Sequence, residues 1–501
     1  MTVSALWGWY AAHQQIMPYM LGSGVATLAA LKIWHATRHR RIRQHNSTWG
    51  RVKDLKREHL IGRSGVVLGS FGRTWRGKRR VLRYTGNGNI LIVARPRVGK
   101  TRSIVIPTLL EDRPLTSLLI NDPKGELYTA TSAYRSKIST VIQLAPCSPT
   151  SDQYNPFDAV RLNSDHETAD AQLIGECCAN PDGQEPKTES ERFWMGLAKK
   201  TLAGLALYGI RTQEAVSPGA LNSLLARGDL LQHVEAMRQA SHPLLRSVGE
   251  LIVDMDEKQF SNTINTLREL LSIYDDPLVS RMTEKSTFRA SALRKGPQPL
   301  SVYLSVPFPH QERMRPVLRL IIRQLLDASM EEQHEISVEN PDGWHYALDF
   351  IGEELPSLGR LNLLRGMLNH GAGYGIRLLL ITPSMNELEE IYGTKHNFFD
   401  GTHVQVFFGL TDDHVAERVA KRIGTVTRMQ RRVTYGRGGR SVSHEETRKQ
   451  LLDASGVSHM PGNKVIILVG GEDETGSTQV IANQMPWYKH KPWSQRGVSH
   501  V

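Results

Sequence analysis

The stretch that decides the fold is Asn89-Ile-Leu-Ile-Val-Ala-Arg-Pro-Arg-Val-Gly-Lys-Thr101. Its beginning, Ile90–Val93, is a continuously apolar run of the kind that forms a buried β-strand. A loop follows and ends in Gly99-Lys100-Thr101, after which residues 103–110 have the composition of a helix. A strand, a loop ending in Gly-Lys-Thr and a helix together predict a phosphate-binding P-loop.

The predicted P-loop has a specific chemistry. Backbone N–H groups of such a loop point at phosphates, and the start of the next helix adds partial positive charge. Lys100 would reach the β- and γ-phosphates of ATP, and the Thr101 hydroxyl would ligate Mg²⁺. The alternative is a structural turn that carries Gly-Lys-Thr by chance. The candidate nucleotide-binding residues of the loop are Ala94, Arg95, Pro96, Arg97, Val98, Gly99, Lys100 and Thr101.

The composition describes a large, basic chain with few cysteines. Its 501 residues, 40% of them hydrophobic, can bury a large core, and the length suggests about three domains. The formal net charge of +12 and the pI near 9.5 favour acidic partners, either nucleic acid or anionic lipid. Cys147, Cys177 and Cys178 form neither a disulfide framework nor a zinc-ligand pattern. The bulk of the chain is therefore expected in the cytoplasm.

The N-terminus predicts a membrane anchor. Residues 16–34 are almost entirely apolar and close to the ~20 residues that cross a bilayer. Four arginines follow this segment, at positions Arg38, Arg40, Arg41 and Arg43. They place the C-terminal end of the segment in the cytoplasm. A buried core helix is the alternative interpretation. Residues 3–12 are also apolar but too short to span a membrane alone.

Eight apolar segments predict the strands of an α/β fold with a mainly parallel sheet. They are rich in Ile, Leu and Val and mostly separated by helix-length stretches, which is typical of a parallel sheet covered on both faces. The predicted strands are Ile90–Val93, Ser117–Ile120, Thr140–Leu144, Leu300–Ser305, His345–Ile351, Ile376–Thr382, Val404–Phe408 and Lys464–Val469.

The interval between the third and fourth predicted strands has a helical pattern. Apolar residues recur at helical spacing in Phe193–Tyr208 and Phe260–Tyr274, and Asp182–Glu191 is polar enough to form a loop. An all-α domain inserted into the α/β domain is the simplest interpretation. The predicted domains are 1–45 as anchor with its basic segment, 46–160 and 296–501 as the two parts of the nucleotide-binding domain, and 161–295 as the insert.

Two adjacent acids at a strand end are candidates for catalysis. Glu353 and Glu354 directly follow the predicted strand His345–Ile351 and Gly352. A P-loop ATPase needs one carboxylate to support Mg²⁺ and another to polarise the attacking water. The alternative is a solvated acidic turn at a helix start, where carboxylates are common.

Asp122 and two basic stretches have two interpretations each. Asp122 follows Ser117–Ile120, so its carboxylate faces either the nucleotide or a strand-to-helix turn. Arg73–Arg83 and Arg428–Arg440 combine arginines with an aromatic residue, which suits contact with single-stranded nucleic acid. Solvated loops or hairpins are the alternative, because charge runs usually face water.

An ordered set of motifs resembles the type IV coupling protein family of conjugation and type IV secretion systems, the TraG/TraD-like group. The resemblance covers residues from about 60 to 501. The motifs are Ala94-Arg-Pro-Arg-Val-Gly-Lys-Thr101, Asn121-Asp-Pro-Lys-Gly-Glu-Leu127, Tyr154-Asn-Pro-Phe157, Glu353-Glu-Leu-Pro-Ser-Leu-Gly-Arg-Leu361, Gly373-Tyr-Gly-Ile-Arg-Leu-Leu-Leu-Ile381, Val404-Gln-Val-Phe-Phe-Gly409 and Gln450-Leu-Leu-Asp-Ala-Ser-Gly-Val457.

The resemblance implies a RecA-like P-loop motor with an all-α insert, anchored in the bacterial inner membrane by one or two passes. It implies a homohexamer that uses ATP and Mg²⁺ at subunit interfaces. It further implies recruitment of a relaxase–DNA complex, or of an effector protein, and transfer of sequence-nonspecific single-stranded DNA to the type IV secretion channel. A nucleotide-binding receptor with impaired hydrolysis and a chromosome-pumping ATPase are the rival hypotheses, and the helical insert argues against the second.

Carried over position by position, the resemblance makes Glu354 the catalytic glutamate and Glu353 the Mg²⁺ ligand beside Thr101. Ala94, Glu353 and Pro383 depart from the family pattern, where Gly, Asp and a phosphate-sensing Gln are usual. Proline offers no amide for that sensing role. Arg377 and Arg418 are candidates for an arginine finger.

Overall fold

The computed structural model describes most of the chain after the N-terminal segment. The described residues are 47–72, 79–337, 340, 342–410, 412–436, 439–470 and 477–498, with the backbone alone for 428–445. The predicted anchor at 16–34 and the apolar segment 3–12 lie outside them. Within the described ranges, no helix combines the length and apolar character that a membrane crossing requires.

The chain forms two compact units. One comprises Gly50–Leu410 and Met460–Val501 and contains the P-loop, the large sheet and the helical interval. The described part of the other comprises residues 47–49, 412–436 and 439–459. The domain boundaries given above stay a prediction, since the first unit includes both the α/β part and the helical interval.

The large unit is built on an 11-stranded sheet. Its strand order is β2-β1-β13-β12-β9-β3-β8-β7-β4-β6-β5, with a separate two-stranded sheet of β10 and β11. The strands are β1 Val66–Phe71, β2 Arg80–Tyr84, β3 Ile90–Val93, β4 Thr116–Asp122, β5 Thr140–Leu144, β6 Leu300–Ser305, β7 Ala347–Gly352, β8 Ile376–Thr382, β9 Val404–Phe407, β10 Thr425–Gly436, β11 Gly439–Gln450, β12 Lys464–Val469 and β13 Thr478–Asn483.

The parallel core of the sheet runs from β9 to β5, which confirms the α/β fold with a mainly parallel sheet. All eight predicted strands are present. The prediction that Lys464–Val469 extends the parallel sheet is wrong, because β12 pairs antiparallel with both β9 and β13. β7 also begins later than predicted, since the N–H groups of His345 and Tyr346 bond the carbonyl of Arg294 and not a strand.

Helices and loops connect the strands in the described chain. The α-helices are α1 Val52–Arg57, α2 Ile106–Leu109, α3 Glu126–Arg135, α4 Glu167–Ala179, α5 Glu189–Thr212, α6 Pro218–Leu225, α7 Leu230–Arg238, α8 Pro243–Val253, α9 Glu257–Leu271, α10 Pro277–Met282, α11 Ala292–Lys295, α12 Gln311–Ser329, α13 Asn362–His370, α14 Met385–Tyr392, α15 Asp413–Ile423, α16 Ala454–Ser458 and α17 Trp493–Arg496. A π-helical turn spans Thr101–Val105, and the 3₁₀ turns are Pro156–Ala159, Ser272–Asp275, Phe308–His310, Leu355–Leu358, Gly371–Tyr374 and Trp487–Lys489.

Only helices occur between β5 and β6, all within described residues, as the sequence predicted. The segment Phe193–Tyr208 lies inside α5, whose second half is buried. The segment Phe260–Tyr274 lies in α9 and the turn that follows it. The predicted loop at 182–191 is shorter than expected, because Thr188 caps α5 and the helix already begins at Glu189.

The smaller unit consists of α15, the long hairpin and α16. Strands β10 and β11 pair antiparallel in unbroken register from Thr425↔Gln450 to Gly436↔Gly439. The described residues of the basic stretch 428–440 therefore lie in the two strands of a hairpin, and the predicted contact with single-stranded nucleic acid stays a prediction. Asp412 caps α15 by accepting a hydrogen bond from the Val415 N–H.

Parallel strands end at one edge of a sheet, and this positions the candidate site. β3, β8, β7 and β4 are neighbours, with Val93 opposite Thr382 and Asn121 opposite Gly352. Their buried apolar residues, such as Ile92 and Ile120, form the core with Ile104 from the segment after the P-loop. The loops that follow these four strands therefore meet at the carboxyl edge, where ligands bind in α/β folds.

Candidate nucleotide site

The P-loop turns sharply after β3. The N–H of Ala94 still bonds the carbonyl of Thr382 at 3.0 Å, which continues the ladder by one residue. Arg97 and Gly99 then adopt left-handed backbone, with φ of 66° and 96°. A side chain at Gly99 would be strained, and its Cβ would lie 2.6 Å from Arg102 Nε. This glycine is therefore required by the loop conformation itself.

The helix after the P-loop starts as a π-helical turn. Gly99 O accepts a hydrogen bond from the Ser103 N–H at 3.0 Å, and the turn continues into α2 at Ile106. The predicted helix is thus confirmed, with a wider first turn than an α-helix has. The first N–H groups of a helix lack intrahelical partners and suit an anion. Residues 94–101 therefore have the conformation expected of a phosphate-binding loop.

Thr101 and Glu353 meet across the site. The Thr101 hydroxyl donates to Glu353 Oε1 at 2.5 Å, which joins the P-loop to the end of β7. The backbone carbonyl of Glu353 accepts a hydrogen bond from the side chain of Asn121 at 2.6 Å. The structure thus brings together the two residues that the sequence suggested for Mg²⁺, although they lie 252 positions apart.

The environment of Glu353 suits a cation. Its side chain is buried, and its Oε2 atom has no hydrogen-bond partner among the described residues. Burial raises the pKa of Glu353 to about 7, while Thr101 and Lys100 act in the opposite direction. A buried carboxylate with an unpartnered oxygen beside a hydroxyl is a donor set that Mg²⁺ accepts. The residues present therefore fit the metal.

Glu354 has a strained backbone and two lysine neighbours. Its φ is 50° and its ψ is 54°, a left-handed conformation that is uncommon for a residue other than glycine. Its Oε1 atom lies 2.9 Å from Lys124 Nζ and 4.0 Å from Lys100 Nζ. The hydrogen bond from Lys124 to Glu354 raises the pKa of Lys124. Both predicted acids therefore lie at the P-loop lysine, with Glu354 the more exposed of the two.

Asp122 occupies the carboxyl edge at the end of β4. Its two oxygens accept hydrogen bonds from the N–H groups of Leu127 and Tyr128 at 3.2 and 2.8 Å, so it holds the start of α3. Burial raises the pKa of Asp122 to about 6. The negative charge of Asp122 in turn raises the pKa of Glu353. These bonds favour the turn interpretation for its side chain, while its position keeps it beside the nucleotide site.

Three further residues reach the site and were not identified from the sequence. Lys124 pairs with Glu354 as described above. Burial raises the pKa of Glu387, and the charges of Lys100 and Glu354 also act on its carboxyl group. The pattern Ser384-x-x-Glu387 marks a capped helix start and could have identified this residue. Gln484, after β13, has its Oε1 atom 3.4 Å from the Ser103 hydroxyl. No sequence pattern indicated Gln484, because its approach depends on the antiparallel part of the sheet.

Pro383 and the two candidate arginines are also located. Pro383 directly follows β8, whose last residue Thr382 contacts Ala94, so it stands at the P-loop without an amide to offer. Arg377 lies at the opposite end of β8 and forms a bidentate pair with Asp349 at 3.1 and 2.7 Å. This internal pairing argues against an arginine-finger role for Arg377, which stays a prediction. Arg418 lies in α15 of the smaller unit.

The described part of the first basic stretch makes internal contacts. Arg79 donates to the Ser70 hydroxyl at 2.7 Å, and Arg83 pairs with Glu111 at 2.9 Å. Arg80 is exposed. Residues 73–78 of that stretch, and the side chains of the second stretch, lie outside what the structure describes.

Comparison with known sequences gives a family match over nearly the whole chain. Residues 48–499 match the family described as "Type IV secretory system Conjugative DNA transfer". The Escherichia coli "Conjugal transfer protein TraG" is 28% identical over 441 residues, covering 82% of this chain and 68% of TraG. "Protein VirD4" of Agrobacterium fabrum is 27% identical over 452 residues, covering 86% of this chain and 65% of VirD4.

Comparison with solved structures shows the same fold. The plasmid coupling protein TrwB, in complex with ADP and Mg²⁺, superposes with a TM-score of 0.61 at 17% identity, covering 88% of this chain and 94% of TrwB. VirB4 of Thermoanaerobacter pseudethanolicus gives 0.51 at 11% identity, covering 87% of this chain and 99% of VirB4. The fold is thus a RecA-like P-loop α/β fold.

Proposed function

The chain belongs to the type IV secretory system conjugative DNA transfer family, and we propose that it is a coupling ATPase anchored in the bacterial inner membrane. In this proposal it recruits relaxase–DNA or effector substrates and uses ATP to drive them through a type IV secretion system. The contact between Thr101 and Glu353 carries the proposal, because it places two oxygen donors that suit Mg²⁺ directly on the P-loop.

Each residue of the site would have its own role in ATP hydrolysis. Lys100 is buried with its Nζ atom at the acidic edge, so it would neutralise the β- and γ-phosphates. Thr101 and Glu353 would hold Mg²⁺, which when bound supplies positive charge against the phosphate oxygens. Glu354, partly exposed next to Lys100, would accept a proton from the attacking water. Asp122 and Asn121 position this edge through the start of α3 and the backbone of Glu353.

A homohexamer is the assembly that we propose for this motor. Arg377 is committed to Asp349, so the positive charge that completes hydrolysis has to come from elsewhere. An arginine of a neighbouring copy in a ring would supply it across the subunit interface, as in other P-loop ATPases. TrwB, which shares the fold, is a plasmid coupling protein solved with ADP and Mg²⁺. Arg418 remains a candidate for this residue.

The partners follow from charge and family. The net charge of +12 favours a polyanion, and sequence-nonspecific single-stranded DNA with its relaxase is the substrate that we propose. The basic stretches at 73–83 and 428–440 are the candidate contacts. The apolar segment 16–34 and the arginines behind it would anchor the chain with its bulk in the cytoplasm. Components of the type IV secretion channel would be its remaining partners.

A second function has two observations in its favour. The Glu354 carboxylate is occupied by Lys124 at 2.9 Å, and Pro383 offers no phosphate-sensing amide. Both features suit a nucleotide-binding receptor at the secretion channel that hydrolyses ATP poorly. The two functions differ in what Glu354 does, because a receptor needs nucleotide binding but no catalytic base.

ATP hydrolysis by the full chain in detergent, with and without single-stranded DNA, tests the proposal. We expect DNA to stimulate the wild type and both Lys100→Ala and Glu354→Gln to lose roughly 100-fold or more in rate. Glu354→Gln should keep its nucleotide affinity, whereas Lys100→Ala should lose it. The receptor function would instead be established if the wild type hydrolysed no ATP and Glu354→Gln still supported conjugative transfer.

A further inference from the structure

The edge of the sheet opposite the P-loop contains a cavity with a volume of about 180 Å³. Thr116 and Ile376 line it where β4 and β8 begin, so it lies at the amino edge of the parallel strands. Arg113, Asp349 and Arg377 form its charged wall. We call it the Arg113 cavity. No step of the proposed ATP hydrolysis uses these residues.

Two arginines share one carboxylate in this wall. Arg377 binds Asp349 through two hydrogen bonds of 3.1 and 2.7 Å and also donates to the Gly86 carbonyl at 2.9 Å. Arg113 bonds the same carboxylate through its Nη2 atom. Its Nη1 atom is buried and has no partner among the described residues. The wall therefore carries one positive charge more than it neutralises.

The surrounding charges do not remove this excess. Glu111 is already paired with Arg83 at 2.9 Å. Arg135, whose side chain is buried, bonds only the Ser301 hydroxyl through Nε, and its Nη2 atom is unpartnered among the described residues. Burial lowers the pKa of both Arg113 and Arg135, each of which repels the other. A buried cation without a counter-charge is costly, so an anion bound here would stabilise the fold.

The rest of the cavity lining offers donors suited to an oxyanion. Ser64 and Thr116 contribute hydroxyl groups and Asn87 contributes an amide. These three side chains make no hydrogen bond to any described residue, so their donors are available. Hydroxyls, amides and an arginine are the groups that bind phosphate oxygens in proteins.

We propose that the Arg113 cavity binds a phosphate group, either of a small soluble phosphate compound or of an anionic lipid headgroup. The two sources present the same chemistry to the cavity, a tetrahedral oxyanion facing the excess positive charge. Occupation of the cavity would tie together the starts of β4, β7 and β8, three strands whose other ends form the nucleotide site.

Binding of inorganic phosphate to the full chain in detergent tests the proposal. The P-loop is first saturated with a non-hydrolysable ATP analogue, and bound radiolabelled phosphate is then measured by equilibrium dialysis. We expect about one further equivalent on the wild type. Arg113→Gln should weaken this binding by roughly 10- to 100-fold, the range expected for a lost hydrogen bond from a charged group. Nucleotide binding should be unchanged.

Two more variants separate binding from folding. Arg113→Gln leaves the bidentate pair of Arg377 and Asp349 intact, and Thr116→Val retains every charge of the wall. We expect Thr116→Val to weaken phosphate binding by about 2- to 10-fold, as for one neutral hydrogen bond. Arg192→Gln, which changes an exposed arginine outside the cavity and outside both basic stretches, is the matched control and should bind like the wild type.

Soluble lipids distinguish the two sources. Binding of dihexanoyl phosphatidylglycerol that is lost in Arg113→Gln, without binding of dihexanoyl phosphatidylcholine, would identify a lipid headgroup. Binding of inorganic phosphate alone would identify a soluble phosphate compound. The proposal is overturned if the nucleotide-saturated wild type takes up no further phosphate and no phosphatidylglycerol, or if Arg113→Gln binds them as the wild type does.

Discussion

The Thr101 hydroxyl donates to Glu353 Oε1 across 2.5 Å, and this contact closes the candidate nucleotide site between the P-loop and β7. This contact gives a physical reason for Glu353, since the family resemblance predicts aspartate at this position. The longer side chain brings the carboxylate into direct contact with Thr101 and leaves its second oxygen without a partner among the described residues. The position that departs from the family pattern is therefore also the one that couples two distant segments.

The burial of Glu353 predicts a pH-dependent stability. Its pKa is raised from 4.5 to about 7 by burial, so the folded chain holds this proton more tightly than the unfolded chain does. Stability should therefore fall as pH rises from about 4.5 to about 7, and the loss should persist above pH 7. Glu353→Gln removes the charge, so it should raise the free energy of unfolding at pH 8 by about 3 kcal/mol. Chemical unfolding at pH 5 and pH 8 measures this difference.

Nucleotide and Mg²⁺ provide the control for that prediction. A bound cation compensates the Glu353 carboxylate, so the advantage of Glu353→Gln at pH 8 should shrink when both are present. An equal gain at pH 5 and pH 8 without nucleotide would contradict the raised pKa.

The two ends of the P-loop should respond differently to substitution. Gly99→Ala places a Cβ on a backbone with φ of 96°, 2.6 Å from Arg102 Nε. We expect it to destabilise the loop by about 1–2 kcal/mol and to weaken nucleotide binding by more than roughly tenfold. Ala94→Gly, which restores the usual first glycine, should leave nucleotide affinity within about threefold, because Ala94 is buried in the regular end of β3. Nucleotide titration measures both.

Lys124 should restrain Glu354 in the resting site. Its Nζ atom lies 2.9 Å from Glu354 Oε1, and the lysine side chain is 52% exposed. Removing such a pair changes stability by less than about 1 kcal/mol. Lys124→Ala should instead raise the rate of ATP hydrolysis without DNA and so reduce the stimulation that DNA gives. Lys137→Ala, an exposed lysine after α3, is the matched control; equal DNA stimulation in both variants would show that Lys124 has no restraining role.

Asp349 should be essential for stability and not for chemistry. It is the shared partner of Arg113 and Arg377, and its side chain is 4% exposed. Burial alone would raise the pKa of Asp349, but the two arginines outweigh burial and hold the pKa below its usual range. Asp349→Asn leaves two buried guanidinium groups and should cost about 3–5 kcal/mol of unfolding free energy.

An exposed ion pair is the control for Asp349. Asp182 is 57% exposed and lies 3.5 Å from Arg315. Asp182→Asn should cost less than about 1 kcal/mol in the same unfolding experiment. Similar losses of unfolding free energy in the two variants would mean that the buried ion pairs of Asp349 contribute no more to stability than an exposed pair.

Much of the fold could be predicted because the parallel strands are buried on both faces. Four consecutive apolar residues in Ile90–Val93 and five in residues 465–469 identify strands without any knowledge of their partners. Three of the strands that were missed carry weaker patterns. β2 alternates arginines with apolar residues, and the sequences of β10 and β11 are mostly polar.

The candidate site was predicted where local sequence specifies it and missed where it does not. Lys100 and Thr101 follow a turn whose conformation requires Gly99, and Glu353 and Glu354 directly follow a strand. The pairing of Arg377 with Asp349 was missed, because it depends on β7 being the neighbour of β8 in the sheet. Gln484 was missed, because it reaches Ser103 from 381 positions away.

The sequence by itself determined the P-loop, the apolar strands, the helical interval and the pair of acids, since each depends on residues that are near one another in the chain. Only the tertiary structure decided the antiparallel placement of β12, the contact of Thr101 with Glu353 and the Arg113 cavity. These depend on strand order, which is set by how the apolar faces pack together. Local pattern identifies which segments are buried, and packing alone selects their neighbours.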